Sequence, residues 1–179
     1  MRIERLTPDD LSLVGRIDRS EHVEVQYSVV DGRLVEAPVV MTEVPPWDQS
    51  GTGPFSVRDK IDFCARCVAA GGVPLGAFVD GDELAGIAVV DPGFEPDLAW
   101  FAFLHVSRPH RRRGAASALW AESVSVALDA GASSMYVSAT PTGSAVGFYL
   151  RQGCRLADPV HPVLFAEEPE DIHLVYALR

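Results

Sequence analysis

Residues 98–116 constrain this chain more than any other stretch. Leu-Ala-Trp-Phe-Ala-Phe-Leu-His-Val, 98–106, is a nearly unbroken apolar run of strand length. Ser-Arg-Pro-His-Arg-Arg-Arg-Gly, 107–114, is a basic turn, and from Ala115 apolar positions recur at helical spacing. A strand, a short loop and a helix in this order leave the first N–H groups of the helix without internal partners, at the positive end of its dipole. That is an anion site in waiting. Gly114 lets the backbone bend and come close, while Ala115 and Ala116 keep side chains out of the way. Arg111, Arg112 and Arg113 bring guanidinium charge to this place in a chain whose formal net charge is −10.

That acidity narrows the partners. Lys60 is the only lysine and the other basic residues are arginine, so no broad positive face is available for a phosphate backbone and nucleic acid is not an expected partner. An acidic protein attracts cations, and amines are cations at neutral pH. At 179 residues with 47% hydrophobic content, the chain suffices for one well-buried domain. No run approaches the roughly eighteen apolar residues of a membrane span, and the charged start Met-Arg-Ile-Glu-Arg lacks a signal-peptide apolar region. The expectation is a cytoplasmic protein with no membrane partner. Three cysteines make no disulfide framework. Cys64 and Cys67 share one face of a helical pattern over 56–70 and lack the two further ligands zinc would require, so core packing is expected and no metal.

Along the chain, Ile3–Leu6 reads as a strand and Thr7-Pro8-Asp9-Asp10 as the opening of a helix reaching Asp18. His22–Val29 alternates, Asp31-Gly32 is a hairpin turn, and Arg33–Val40 returns as a second strand. Residues 42–55, rich in Pro and Gly, form a loop before the helix that ends at Gly71-Gly72. Strands at 75–80, 83–90 and 98–106 follow, then helix 114–130, strand 134–139, helix 142–152 and strand 171–178, with 159–169 a loose connection. The expected class is α/β (α+β): a central, mixed, partly antiparallel twisted sheet flanked by helices, with an N-terminal β-hairpin insertion.

Two segments carry a resemblance. Arg111-Arg112-Arg113-Gly114-Ala115-Ala116 matches the R/Q-x-x-G-x-G/A loop of the GCN5-related N-acetyltransferase (GNAT) superfamily. Thr142-Gly-Ser-Ala145-Val-Gly-Phe148-Tyr149-Leu-Arg-Gln-Gly153-Cys154 resembles its N-x-x-A-x-x-x-Y-x-x-x-G-F segment, with Thr in place of Asn and Cys in place of Phe. Either alone is a weak signal. Both in order, within a β-α-β-α pattern, are a strong one covering about residues 75 to 178, whereas the first seventy or so match only in outline. The resemblance implies the GNAT fold over 1–179, with 1–73 on the acceptor side and 74–179 as the coenzyme A-binding core, and acetyl-coenzyme A as co-substrate. It implies that main-chain N–H groups from Arg112 to Ala116 hold the pyrophosphate, aided by the Ser117 hydroxyl and the charge of Arg111, Arg112 and Arg113. Leu104 and Val106 would lend backbone groups to the pantetheine arm, with Thr142 and Phe148 also on the coenzyme side. Tyr149 falls where the family often places a hydroxyl near the coenzyme sulfur. A phenol of pKa about 10 can protonate a departing thiolate, whose conjugate acid titrates near 8.5.

The general base is where the resemblance fails. Many relatives use a glutamate at a strand position that here is Trp100, which cannot accept a proton. Strand alternation points His105 away from the face of Trp100, Leu104 and Val106, so a structural histidine is expected. Glu24, Glu36 or Glu43 acting through water, or an amine arriving neutral, remain open. Segment 21–55 carries Glu21, Glu24, Asp31, Glu36, Glu43 and Asp48 against Arg33 alone. It is read either as a solvated face or as an acidic wall for a cationic acceptor, with Glu24, Trp47 and Trp100 as acceptor-side candidates and Trp47 equally a core plug. The function expected is acetyl transfer to a primary amine of a small, cationic acceptor by direct attack in a ternary complex. An acyl-coenzyme A-binding regulatory module and transfer onto a protein N-terminus or lysine are the alternatives. A homodimer is compatible with the composition.

Overall fold

The computed structural model describes residues 1–178. β1 (Arg2–Arg5) leads into a 3-10 stretch, Pro8–Arg16, opened by a capping box between Thr7 and Asp10. The expected first helix is therefore present in its tighter form. β2 (Glu21–His22) precedes a hairpin of β3 (Gln26–Val30) and β4 (Arg33–Ala37), and β5 (Glu43–Val44) returns to pair with β2. Asp31 and Gly32 both take positive φ, 50° and 70°, as an Asp-Gly hairpin turn requires. α1 (Val57–Ala69) starts at Ser56, whose hydroxyl accepts the Asp59 N–H at 3.1 Å.

The remaining elements are β6 (Val73–Val79), β7 (Glu83–Glu95), β8 (Leu98–Val106), α2 (Ala115–Asp129), β9 (Ser134–Ala139), α3 (Gly143–Gln152), β10 (Arg155–Leu156), α4 (Pro162–Glu167) and β11 (Ile172–Ala177). α4 corrects the loose connection expected at 159–169. Pro162 sits in its first turn, and His161 Nδ1 accepts the Leu164 N–H at 3.3 Å, so two residues that look like linker punctuation open a short helix instead.

One sheet of order β1-β6-β7-β8-β9-β11-β10 organises the molecule, and among the described residues its only parallel pair is β8 with β9. This is the mixed, partly antiparallel sheet expected. α2 and α3 cover one face, where Leu119, Trp120, Val126, Val146 and Tyr149 pack on Leu75, Ala88, Phe101, Met135 and Val137. The 3-10 stretch and α1 cover the other, where Leu11, Val14, Cys64 and Cys67 meet Ile87, Val89 and Phe103. Cys64 and Cys67 are core residues: burial pushes their thiols up to about 12 and about 11. Among the described residues no helix is long and apolar enough to cross a membrane.

A bulge in β8 changes which residues face the cleft. Val90 pairs with Phe101 but Val89 pairs with Phe103, so Ala102 is extra. Trp100, Ala102 and Phe103 all turn to the α1 face, and Leu104 and Val106 turn to the α2 face. His105, expected opposite Trp100, therefore shares its face, and the ring packs 4.7 Å from Trp47 and 4.8 Å from Phe103. Strict alternation fails here because one inserted residue inverts the parity of all that follow.

Trp47 is 2% exposed within the second core, so it is a plug and not an acceptor-stacking surface. Its Nε1 has no hydrogen-bond partner. Trp47→Ala should lower the unfolding free energy by about 3–5 kcal/mol in urea denaturation. Trp47→Phe, which removes the unpartnered N–H, should retain most of the stability. A residue that merely stacked on an acceptor would leave both variants as stable as the parent.

Candidate active site

β8 and β9 pair only at Leu98–Ser134, Ala99–Met135 and Trp100–Tyr136, then part. Beyond that point β8 keeps β7 as its partner on one side and exposes its other edge. Ser107 N donates to Ala85 O at 2.9 Å, which makes 107–85 and 105–87 hydrogen-bonded pairs. Leu104 and Val106 alternate with these, so their backbone groups point into the gap. The gap opens directly onto the basic loop.

In that loop Arg112 (φ 58°) and Gly114 (φ 89°) both adopt the left-handed conformation, and α2 begins at Ala115. Among the described residues, no backbone N–H from Arg112 to Ser117 donates a hydrogen bond within the chain; the first to do so is Ala118, to Gly114 O at 2.9 Å. Successive unpaired N–H groups in left-handed turns form a concave anion nest, here continuous with a helix N-terminus. A Cβ at Gly114 would meet nothing within 4 Å, so glycine is needed for its φ and leaves the nest open. The geometry fits a pyrophosphate followed by a hydrogen-bonding arm.

Arg111 is placed differently from its neighbours. Its Nε donates to Val106 O (3.1 Å), Nη1 to Ser20 O (3.0 Å) and Nη2 to Arg19 O (2.9 Å). The guanidinium expected to supply charge to an anion is a brace binding the loop to residues 19–20. Arg112 and Arg113 are exposed at the nest. Ser117 is exposed on the first turn of α2.

Thr142 caps α3, its hydroxyl accepting from Ala145 N at 3.4 Å, and the preceding loop is stitched to the N-terminal hairpin by Tyr27 N to Pro141 O (2.8 Å) and Gly143 N to Val25 O (2.7 Å). Phe148 and Tyr149 lie on α3 over Trp120, at centroid distances of 6.3 and 5.6 Å. Tyr149 is 6% exposed and also touches Phe101. Burial, with Cys154 and Asp171 nearby, raises its phenol above the ordinary range, so it stays protonated. Trp100 sits at the last β8–β9 pair, between Phe63 (6.0 Å) and Phe94 (5.3 Å).

The N-terminal carboxylates do not form a wall. A cavity of about 290 Å³ opens between residues 19–55 and Thr140–Thr142, and its lining is Arg19, Val23, Gln26, Val40, Met41, Val44, Pro45 and Phe55 on the N-terminal side. Glu24 and Glu36 are exposed outside it, and Glu43 pairs with His22. Another group of carboxylates stands near the end of β9. The turn Glu168–Asp171 lies beside the end of β9, because Ile172 pairs with Ala139 and sets Asp171 across from Thr140. The acidic run Glu167-Glu168-Pro169-Glu170-Asp171 was visible in the sequence, but only an antiparallel β11 brings it to this end of the sheet.

Residues 41–154 match the model of the Acetyltransferase (GNAT) family. The chain belongs to this GNAT family. It is an acyltransferase of the GNAT type with acetyl-coenzyme A as co-substrate. No curated protein matches it in sequence. Among solved structures, a nourseothricin acetyltransferase is 18% identical with TM-score 0.73, covering 99% of this chain and 98% of that one. A candidate streptothricin acetyltransferase from Bacillus anthracis, in complex with acetyl coenzyme A, is 14% identical with TM-score 0.61 over 99% and 96%. The ribosomal-protein-S18-alanine N-acetyltransferase from Escherichia coli is 15% identical with TM-score 0.58 over 87% and 78%. At these identities the likeness is one of fold.

Within the GNAT cleft, His105 is a special case. Burial, then the fields of Arg19, Lys60 and Arg111, push its imidazole down to about 3. It is neutral at pH 7 and binds protons too weakly to take one from an ammonium. An unfolded histidine titrates near 6.5. The folded state binds this proton less readily, so the stability His105 confers is complete above pH 6.5 and lost as pH falls from there toward 3. Urea midpoints at pH 7 and pH 4 should therefore differ more for the parent than for His105→Gln, since the remaining acid-labile groups are common to both.

Proposed function

We propose that this enzyme transfers acetyl from acetyl-coenzyme A to a primary amine of a small, cationic acceptor, by direct attack in a ternary complex. The observation that carries the reading is the run of unpaired N–H groups from Arg112 to Ser117, next to the open β8 edge at Leu104 and Val106, with Tyr149 packed on Phe101 of the same strand. In this reading residues 74–178 hold the coenzyme and residues 1–73 form the acceptor side. The nest binds the pyrophosphate through main-chain donors, with Ser117 adding a hydroxyl and Arg112 and Arg113 adding charge. Leu104 and the Val106 N–H meet the pantetheine arm, and Thr142 and Phe148 flank it.

The sheet then holds the thioester in the gap, where the chemistry becomes positional and electrostatic. When nitrogen attacks the carbonyl, the C–S bond breaks and charge collects on sulfur. Tyr149, kept protonated by burial, donates its hydroxyl proton to that sulfur. A small acceptor is favoured because two neighbours that align over nearly all of the chain are named for nourseothricin and streptothricin, and because the cavity beside Thr140–Thr142 is only about 290 Å³.

Calorimetric titration with acetyl-coenzyme A should give binding that is abolished in Gly114→Glu, whose carboxylate and strained φ both oppose an anion. With an amine panel that includes nourseothricin and streptothricin, free thiol should appear only with the acceptor present. Tyr149→Phe should lower turnover by about tenfold or more with coenzyme affinity near that of the parent. Coenzyme binding without thiol release across the panel would identify a binding module instead.

A further inference from the structure

Trp100 cannot take a proton, and two carboxyls stand on the turn that precedes β11. Asp171 and Glu168 stand on a turn closed by Asp171 N to Glu168 O (3.1 Å), and His173 Nε2 donates to the same carbonyl at 3.0 Å. His173 is 4% exposed, and its Nδ1 has no partner. The Ser138 hydroxyl, across β9 from His173, faces the Glu168 carboxyl yet completes no hydrogen bond. Unpartnered buried polar atoms are costly unless something else meets them. Here they lie on neighbouring strands, β9 and β11, next to that turn.

We propose that Asp171, seated opposite Thr140 with Glu168 beside it, is the proton acceptor for the ammonium form of the acceptor amine, and that His173 positions the turn carrying both carboxyls. The proposal rests on the acetyl-transfer reading above. Its chemistry balances simply. The Asp171 carboxylate takes one proton from R–NH3⁺, leaving a neutral amine and a carboxylic acid. The nitrogen lone pair forms the C–N bond as the C–S bond breaks, and the electron pair leaves on sulfur. Sulfur gains the Tyr149 proton, the nitrogen sheds a second proton that restores the phenol, and the Asp171 proton passes to water.

The charges around the turn suit this task. Burial, reinforced by the nearby Glu168, lifts the Asp171 carboxyl to about 7. Glu168 is itself raised by burial and by Glu167, and is opposed by the Ser138 hydroxyl and by Lys60 of α1. Tyr149 on α3 lies within the field of Asp171. Two carboxyls that disfavour each other's ionisation are a strong base for their type, and a base poised near working pH is the effective one.

The test begins with carbon NMR of the labelled carboxyls in the intact protein, where Asp171 should titrate near 7; titration in the ordinary range near 4 overturns the proposal without any acceptor in hand. With an amine found by the screen, the parent's kcat/KM should rise with pH and level off above about 7. Asp171→Asn should lose on the order of 100-fold in kcat at pH 7, keep its coenzyme affinity, and recover toward the parent as pH approaches the amine's own pKa. Glu168→Gln, which removes the opposing charge, should move the acid limb to lower pH. A parent that turns over while Asp171→Asn matches its rate and profile overturns the role of Asp171 alone. A parent that turns over no amine overturns the functional reading, and this role with it.

Discussion

The separation of β8 from β9 is the constraint on which the rest depends. Two parallel strands that begin as partners would ordinarily continue pairing, because an open edge leaves peptide groups without hydrogen bonds. Here β8 remains paired to β7 and β9 to β11, so the gap costs each strand only one side of its ladder. The bonds from Tyr27 to Pro141 and from Gly143 to Val25 draw the end of β9 toward the N-terminal hairpin. What is left is a slot with backbone donors and acceptors on one wall and an aromatic helix, α3, above it.

An acidic chain can offer an anion a site here because the relevant positive charge is local and mostly not side-chain charge. Left-handed turns at Arg112 and Gly114 align successive N–H groups, and the α2 dipole adds to them. Arg111, the residue whose charge seems most pertinent, does its work elsewhere. By gripping the carbonyls of Val106, Ser20 and Arg19, it joins the loop to the strand before it and to the segment that borders the cavity. The basic loop and the segment bordering the cavity are thus joined through one side chain.

Much of the fold was legible in the sequence. Asp31-Gly32, Ser56, Gly114 and Thr142 each specify a local event, and the periodicities around them are regular enough to place most elements within a few residues. The basic loop was legible for the same reason: its donors are backbone groups, and a short run of residues determines that backbone. The misreadings share a cause. The α1-facing position of His105 depends on one extra residue at Ala102, which pairing reveals and alternation conceals. The burial of Trp47 and the outward turn of Glu24 depend on what packs against them. α4 lies in a tract of prolines and acids whose local signals favour a linker.

By itself, the sequence determined the strand, loop and helix at 98–116, the tyrosine-bearing helix after β9, and hence the family, because these are properties of short segments with their own conformational preferences. Only the tertiary structure decided which carboxylates stand beside the end of β9. Acidic residues are alike in sequence, and their pKa values depend on surroundings assembled from distant parts of the chain. The antiparallel return of β11 sets Asp171 beside the end of β9, while Glu24 and Glu36 face water.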